Sequence, residues 1–304
     1  RIESSAASDV YKRQIEGHVW LDKFTMRNLE IFYPNTLEGK CLIDVIDNTI
    51  SPMGGRLLKR WLALPSTDKS LIFKRHNIVE YFISSESDRN LVCEMLSTLS
   101  DIERLVSKVA TKRIMPRELF NLNSSLKIIK PLKNKLKKTE CKDLNKLIKS
   151  LSNCEQFIQK IDSTLSENPP VNINKGNSIS SNFSDELKEL RSLSKNTKDF
   201  LEDMLKEQSE ITKIPSLKIS SNNVFGYYIE VRNTHKDKVP ESWIRKQTLV
   251  NAERYITEEL KDYETKILGA EQRIMELEIK IFDDLLDFCQ SHILEIQNNS
   301  LIIA

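Results

Sequence analysis

Short runs of apolar residues recur at helical spacing through the first third of the chain, and each begins at a capping residue. Ser51 and Pro52 suit the N-cap and first turn of a helix, an apolar stripe follows them, and Pro65 ends it. Asp68 and Asp101 stand in the same capping place before two further stripes. The pattern therefore predicts a succession of helices in this part of the chain.

Two longer periodic stretches lie in the second half of the chain. Ser184 can cap a helix whose apolar residues keep a three-and-four rhythm as far as Ile211, which predicts a long helix with a narrow stripe. From Leu260 to Ile281 the apolar residues repeat at coiled-coil spacing, and the pattern continues with a slip to Phe288. A helix of about 35 residues would form a rod of roughly 50 Å.

Between these two stretches the period changes to that of a β-strand. Ser216–Ser220 and Val224–Arg232 are rich in β-forming residues, and an Asn-Asn pair between them predicts a turn at residues 222–223. Tyr227 and Tyr228 are expected to belong to the core of this small sheet rather than to stack on nucleobases. A sheet carried at the end of two long helices suits a thick, macromolecular partner better than a small molecule.

Composition agrees with a mainly helical protein of more than one unit. The length of 304 residues exceeds the ~100 to 200 of a usual single domain, so two units are expected. Only 7 residues are Gly and 9 are Pro, while 30% are charged, which favours long amphipathic helices. Lys and Arg number 46 against 44 acidic residues, so any nucleic-acid surface must depend on local arrangement rather than on net charge.

Metal, membrane and catalytic chemistry find little support along the chain. The five cysteines stand singly, without zinc-ligand spacing, and are expected to be reduced thiols. No apolar run approaches the ~20 residues that span a bilayer, and the start of the chain lacks a signal-peptide pattern, so a cytoplasmic protein without a membrane partner is expected. The four histidines, His18, His76, His235 and His292, stand alone, with no matching acids or nucleophiles to suggest a catalytic site.

The stretch from Lys127 to Lys149 interleaves lysines with apolar residues. Its more common interpretation is the solvated face of a helix, in which the lysine stems cover apolar surface. The alternative is a patch that contacts DNA.

Two long strings within the β-rich region carry a resemblance to a known family. FGYYIEV (Phe225–Val231) and IRKQTLVNAERYIT (Ile244–Thr257) closely resemble the clamp region of MutS proteins. The similarity extends to strings that resemble the MutS core, which are LDKFTMRNLE (Leu21–Glu30), SPMGGRLLKRWLALP (Ser51–Pro65), DIERLVSKV (Asp101–Val109) and LKDYETKIL (Leu260–Leu268). The resemblance covers nearly everything after about residue 18. One departure is Glu258, which stands where many family members have proline and would let the following helix begin earlier.

The resemblance implies a fold class and a domain organisation. The fold is expected to be mainly α, with a multi-helical core/lever domain whose long coiled-coil-like helices carry a small inserted α+β clamp domain. The core/lever domain would take residues 18–182, the clamp 183–262, and a long helix returning to the core 263–304. A loop-like segment rich in Asn, Ser, Pro and Gly, at 167–182, marks the first boundary. Residues 1–17 are left unassigned, with a non-native origin left open.

The family also implies a function for the longer protein of which these domains form part. Its members are ATP-driven homodimeric clamps of DNA mismatch repair that close around duplex DNA and work with a MutL-type partner. Such a parent would be a bacterial, nucleoid-associated, DNA-dependent ATPase using ATP and Mg. The mismatch-recognition, connector and ATPase domains are not represented in this sequence, which holds no G-x-x-x-x-G-K-[ST] phosphate loop. The chain itself is therefore expected to be no enzyme and to need no cofactor or metal.

The resemblance places the DNA-facing end of the clamp among side chains that can donate hydrogen bonds to phosphates. The candidates are Lys218, Asn223, Arg245, Lys246, Gln247, Thr248, Asn251 and Arg254. Contacts of this kind fix position without identifying bases, so the grip should be independent of DNA sequence. A structural alternative pairs Arg254 with Glu253 and gives Asn251 a capping or turn role.

Two other functions remain open at this point. The helices could serve as a dimerisation or docking scaffold with negligible DNA affinity, or the chain could belong to MutS relatives that act on recombination junctions.

Overall fold

A computed structural model of the chain describes residues 17–137, 139–195, 197–222 and 226–304, without the side chains of 193–195 and 197–199. The chain divides into two compact units, the first made of residues up to Asp162 together with Leu285–Ala304, and the second of Ser163–Asp284. The predicted fold class is confirmed, because helices dominate and one small antiparallel sheet is inserted among them. The predicted clamp range, 183–262, falls inside the second unit, and its boundaries remain a prediction.

Helices account for most of the described residues. Those that precede the sheet are α1 (Lys23–Asn28), α2 (Leu42–Ile46), α3 (Pro52–Ala63), α4 (Lys69–Ser84), α5 (Glu86–Ser97), α6 (Ile102–Ala110), α7 (Pro116–Lys127), α8 (Ile129–Leu136), α9 (Lys142–Ser150), α10 (Glu155–Thr164), α11 (Asp185–Lys195) and α12 (Thr197–Thr212). Those that follow it are α13 (Glu258–Ser291) and α14 (Ile293–Ile303). In the described ranges, no helix is long and apolar enough to cross a membrane.

The helix starts predicted at Ser51, Asp68 and Asp101 are confirmed. The hydroxyl of Ser51 accepts the backbone N–H of Gly54 at 3.1 Å, and the carboxylate of Asp101 accepts that of Arg104 at 3.1 Å. Asp68 accepts two N–H groups in the first turn of α4. Each side chain satisfies a donor that the first turn of a helix leaves unpaired, which fixes where the helix begins.

The core of the first unit centres on α6. All four apolar residues of its predicted stripe, Ile102, Leu105, Val106 and Val109, are buried, and α6 packs against α7 and α14. The stripe of α3 is different, because the residue it buries is Met53, while Trp61 is 40% exposed under the guanidinium of Arg75. The spacing in α3 therefore predicted the helix correctly and its buried residues incorrectly.

Helix α14 is held to the rest of the first unit by a buried asparagine. The Asn299 amide donates to the carbonyl of Ser152 at 2.9 Å and accepts the N–H of Ser152 at 2.8 Å. Asn299 is fully buried, so both halves of its amide need partners, and this reciprocal pair supplies them. The hydrogen bonds join residues 147 positions apart in the chain.

The long helix predicted from coiled-coil spacing is confirmed as α13, with 34 residues, most of them in the second unit. It begins at Glu258, as the departure from the family pattern indicated. Leu260, Ile267 and Ala270 are buried on it. The predicted stripe fails at the last turn of α12, where Ile211 is 63% exposed and Thr212 is buried instead. A strict three-and-four rhythm does not hold to the end of that helix.

A buried carboxylate on α13 ties three parts of the second unit together. Glu278 has no exposed surface. It accepts the backbone N–H groups of Asn177 and Ser178, each at 2.9 Å, and pairs with Arg191 of α11 at 2.6 Å. Arg191 also donates to the carbonyl of Ile179 at 2.9 Å. The loop predicted over 167–182 is thus a loop in the structure, fixed at its end by ion pairing and hydrogen bonds.

The sheet has four antiparallel strands, β1 (Lys218–Asn222), β2 (Gly226–Arg232), β3 (Ile244–Thr248) and β4 (Ala252–Ile256), in the order β1-β2-β4-β3. The first two strands were predicted, and the predicted turn between them falls partly outside the described residues. Glycine suits the start of β2, because Gly226 has a φ of +69°, which L side chains rarely adopt, and the Glu264 carboxylate would have to move to make room for a Cβ.

Candidate nucleic-acid interface

One face of the sheet forms the core of the second unit. Ile229, Val231 and Tyr255 are buried there against helices α12 and α13, together with Met204, Ile214, Leu217, Trp243 and Leu260. Tyr227 packs partly buried against this cluster, which confirms its predicted core role, whereas Tyr228 is buried on the opposite face of the sheet, where Arg254 covers its ring. The core fixes the sheet on its two helices and leaves the other face and the strand ends to carry polar groups.

The opposite face carries a row of polar residues that runs across all four strands. Strand register places Lys218 beside Glu230, Glu230 beside Arg254, and Arg254 beside Gln247. Neighbouring side chains on one face of an antiparallel pair lie within reach of each other. Opposite charges therefore alternate along the row, beginning with Lys218 at the exposed edge.

Arg254 is engaged inside this row. Its guanidinium donates to the side-chain oxygen of Gln247 at 2.8 Å, lies 3.4 Å from the Glu230 carboxylate, and covers the Tyr228 ring at 4.4 Å. Only 21% of the Arg254 side chain is exposed. Its ion-pair partner is Glu230 and not Glu253, the partner that the structural alternative named. The geometry gives Arg254 a role in bracing the sheet.

Arg245, rather than Arg254, is the ion-pair partner of Glu253. Its Nη1 lies 3.4 Å from an oxygen of Glu253, whose other oxygen accepts the hydroxyl of Tyr255. Burial, with the hydrogen bond to Glu253, raises the pKa of Tyr255 to about 12. The side chain of Arg245 is still 61% exposed. Arg245 is thus oriented by Glu253 while most of its surface remains accessible.

Lys246 lies at an irregularity in β3. The pairing of β3 with β4 shifts register between Arg245 and Gln247, so Lys246 is the extra residue of a bulge. It is exposed, and within the described ranges no carboxylate lies in ion-pair distance of it. Lys246 is the cation of this strand that is most available to an external anion.

The loop between β3 and β4 is held by hydrogen bonds and presents further donors. Asn233 donates its backbone N–H to the Asn251 carbonyl at 3.2 Å and its side-chain amide to the Val250 carbonyl at 2.9 Å. These contacts fix the loop and leave the Asn251 side chain exposed, and Thr248, the last residue of β3, is exposed as well. Asn223, the remaining candidate, lies outside the described residues.

A basic segment that the sequence analysis did not single out adjoins this loop. Residues Asn233–Lys238 form a 3₁₀ helix between β2 and β3 that contacts β2 and β4. Arg232, Lys236 and Lys238 are exposed on and beside it. The signal that could have found them is a basic cluster following directly on a strand. This segment therefore adds cations at the edge of the sheet where β2 ends and β4 begins.

Elsewhere in the described residues the structure offers little for metal or catalytic chemistry. No group of three or more His, Cys, Asp and Glu side chains there could hold a metal ion. The expectation that His292 stands alone is wrong, because its Nδ1 lies 3.0 Å from Glu295, which also accepts the Ser152 hydroxyl. The carboxylate stands between the histidine and the serine, so the imidazole does not contact the serine hydroxyl as it does in a Ser-His-acid triad.

Known proteins match nearly the whole length of this chain. A family model described as MutS domain III matches residues 24–304. The protein named DNA mismatch repair protein MutS from Christiangramia forsetii is 51% identical over 95% of this chain, and its namesake from Flavobacterium johnsoniae is 50% identical over 95%. That from Flavobacterium psychrophilum is 49% identical over 98%.

The chain spans about one third of the length of these relatives, 33% of the first two and 34% of the third. The resemblance seen in the clamp and core strings is confirmed, because the matched range contains all of them apart from the first three residues of Leu21–Glu30. The chain belongs to the MutS domain III family.

Proposed function

We propose that this chain is the core and clamp portion of a MutS-type DNA mismatch repair protein, and that its sheet grips the backbone of duplex DNA without sequence specificity. The observation that carries the proposal is the exposed, unpaired Lys246 on the β3 bulge, with the partly freed Arg245 beside it. Phosphate oxygens accept hydrogen bonds from such cations, and the contacts carry no base information. The relatives, which are named DNA mismatch repair proteins, support DNA as the partner.

The eight candidates divide by what they touch within the sheet. Arg254 and Gln247 bind each other, so their contribution is to hold the surface in shape. Lys218, Arg245, Lys246, Thr248 and Asn251 are exposed and are proposed to contact phosphates. Arg232, Lys236 and Lys238 join them as candidates that the sequence analysis missed. Asn223 keeps its proposed role from the family resemblance alone.

The rest of the machine is proposed for the longer protein. The parent is a homodimeric, cytoplasmic, DNA-dependent ATPase that uses ATP and Mg and works with a MutL-type partner. Helix α13, which begins beside the sheet and ends in the first unit, offers a continuous element through which clamp and ATPase could be coupled. This chain by itself neither binds nor hydrolyses ATP, because its sequence holds no phosphate loop; stoichiometric nucleotide binding by calorimetry would contradict this.

The test of the DNA grip is a double substitution in β3. Arg245→Gln with Lys246→Gln should flatten the plot of log affinity against log salt by close to ~2, since each lost phosphate contact removes about 0.9. Arg245→Glu with Lys246→Glu should abolish most duplex binding. Because the contacts are to the backbone, matched and mismatched duplexes should lose affinity equally. Nonspecific binding of about 10⁻⁴ to 10⁻⁶ M at physiological salt is weak, so the assay belongs at low salt.

A matched control comes from the helices of the same unit. Lys188→Gln with Lys206→Gln removes the same charge from exposed positions on α11 and α12 and should leave the salt slope unchanged. Folding of each variant is checked by circular dichroism. If the folded β3 variants bind duplex with unaltered affinity and slope, the sheet is no DNA clamp, and the DNA surface lies elsewhere on the chain.

A further inference from the structure

The stretch from Lys127 to Lys149, in the first unit, is rich in lysine. It holds nine lysines against two acidic residues, while the formal charge of the whole chain is +2. In the structure it covers the end of α7, all of α8, and α9 as far as Lys149. Helix α8 packs against α9, so its lysines lie on two neighbouring helices. Six of these lysines fall into two groups of three, and Lys138 lies outside the described residues.

The first group is engaged within the unit. Lys127 pairs with Asp162 at 2.7 Å, and Lys130 pairs with Glu155 at 3.2 Å. Lys133 donates to the carbonyl of Leu151 at the end of α9. For these three the more common interpretation of a lysine-rich helix face holds, since their charges are used by local partners.

The second group lies along the exposed face of α9. Leu144 and Ile148 bury one side of this helix, while Lys142, Lys146 and Lys149 are exposed on another. Residues three and four apart are neighbours on a helix surface. The three ammonium groups therefore form a row along a single helix of nine residues.

Local carboxylates compensate this row poorly. Asp143 lies 3.8 Å from Lys146, near the limit of an ion pair, and it also accepts the side-chain amide of Asn77. In the described part of the chain, the side-chain ammonium groups of Lys142 and Lys149 have no hydrogen bond or ion pair. The neighbouring Lys135 and Lys137 of α8 and its C-cap are exposed as well.

The row is electrostatically unfavourable for the helix that carries it. Like charges four residues apart repel and weaken a helix. Lys142, the first residue of α9, also places a cation where the helix dipole disfavours one. A bound polyanion would relieve both effects. A phosphate backbone fits such a row, because its charges are regularly spaced and ammonium groups bind it as point charges without an apolar pocket.

We propose that the row Lys142, Lys146 and Lys149 is a second binding surface for the phosphate backbone of duplex DNA, distinct from the clamp. It rests on the proposed function only in taking duplex DNA as the polyanion. The contacts are independent of DNA sequence and sensitive to salt, like those of the clamp, but they belong to the other compact unit of the chain.

The test replaces the row in the full chain. Lys142→Gln, Lys146→Gln and Lys149→Gln together should lower duplex affinity at ~50 mM salt by about tenfold or more and flatten the salt slope by up to ~2.7. The matched control, Lys112→Gln with Lys127→Gln and Lys130→Gln, removes the same charge from lysines that carboxylates already engage. It should change the slope by less than ~1. Replacing the three lysines by arginine should retain duplex binding. That result would show that positive charge is the property required.

Comparing the row variant with the β3 variant, each made separately, distinguishes the two proposals. Loss of affinity on row replacement, with no loss on β3 replacement, supports this surface and rejects the clamp. The reverse result rejects this surface and supports the clamp. Unchanged duplex affinity in a folded row variant overturns the inference, as does an equal loss in the matched control. The inference is also overturned if replacing the row abolishes binding of polyglutamate but leaves duplex binding unaltered. That result would assign the row to an acidic protein.

Discussion

The guanidinium of Arg191 lies 2.6 Å from the carboxylate of Glu278, and this pair is almost wholly removed from solvent, with 12% and 0% of the two side chains exposed. The carboxylate also accepts two backbone N–H groups. A buried charge is tolerated only when its partners are in place, so loss of either member leaves the other charged and unpaired.

Glu278→Ala should therefore lower the free energy of unfolding of the second unit by about 3 to 5 kcal/mol. Glu278→Gln should cost less, because the amide oxygen can still accept a backbone N–H. The measurement is urea denaturation followed by circular dichroism. Glu186→Ala is the control, since its pair with Arg273 is half-exposed on both sides and should contribute at most about 1 kcal/mol. Equal losses in both variants would show that Glu278 is no buried anchor.

Asp101 combines a helix cap with an ion pair, and two substitutions separate these roles. It accepts the Arg104 N–H at 3.1 Å and receives two hydrogen bonds from Arg56, at 2.9 and 2.6 Å. Asp101→Asn keeps an oxygen for the cap and loses the charge pair, whereas Asp101→Ala loses both. The alanine variant should be less stable than the asparagine variant by about 1 kcal/mol, measured by thermal or urea unfolding. Equal stabilities would mean that the cap contributes nothing.

The same carboxyl predicts a dependence of stability on pH. Hydrogen bonds from Arg56 hold the pKa of Asp101 below its ordinary value of 3.8. Because the folded pKa is depressed, the stabilisation is present above the unfolded value and is lost as pH falls through the folded one. Unfolding measured between pH 5 and pH 2 should therefore show a shallower acid loss for Asp101→Asn than for the native chain. Parallel curves would contradict the assignment.

Thiol reactivity should divide the five cysteines into two classes. Cys93 and Cys141 are partly exposed, whereas Cys41, Cys154 and Cys289 are buried. Burial raises the pKa of Cys154 and of Cys289 to about 12. Since the thiolate is the reactive form, a maleimide at pH 8 should label the first two rapidly and the other three only after unfolding. Mass spectrometry of the native protein that showed fast labelling of Cys289 would refute this burial pattern.

The two basic residues of the sheet, Arg254 and Lys246, should respond differently to truncation. Arg254→Ala removes the partner of Glu230 and Gln247 and the cover of Tyr228, so it should destabilise the sheet by about 1 to 2 kcal/mol. Lys246→Ala should remain within about 0.5 kcal/mol of the native chain. The fluorescence of Trp243, buried in the sheet core, can follow urea unfolding. Similar losses for both variants would refute the division between bracing and exposed cations.

Local signals explain which elements the sequence predicted well. Ser51, Asp68 and Asp101 cap their helices as expected, because capping depends on residues within one turn. Strands β3 and β4 were missed, since residues such as Arg245 and Lys246 do not mark a half-buried strand. Their pairing with each other, and of β4 with β2, makes them strands, and pairing partners are not visible in a local pattern.

The residue types of the candidate site could be predicted from the sequence, but whether each side chain is exposed and unpaired could not. Whether Arg254 is free depends on the register that places Glu230 and Gln247 beside it. The burial of Glu278 likewise depends on backbone N–H groups about 100 residues away. A glutamate within a heptad pattern is normally expected to be exposed to solvent. The burial of such a charged side chain therefore depends on partners that are distant in the sequence.

The reciprocal hydrogen bonds between Asn299 and Ser152 have a consequence for synthesis on the ribosome. The first unit is completed by α14, which packs against α6, yet the whole of Ser163–Asp284 is translated between the two. One side of the buried face of α6 therefore stays uncovered until the second unit has been translated and α14 has packed against α6. An inserted unit that folds early on its own core would bring the ends of its segment together and shorten that interval, because closing a long loop is slower and entropically more costly than closing a short one.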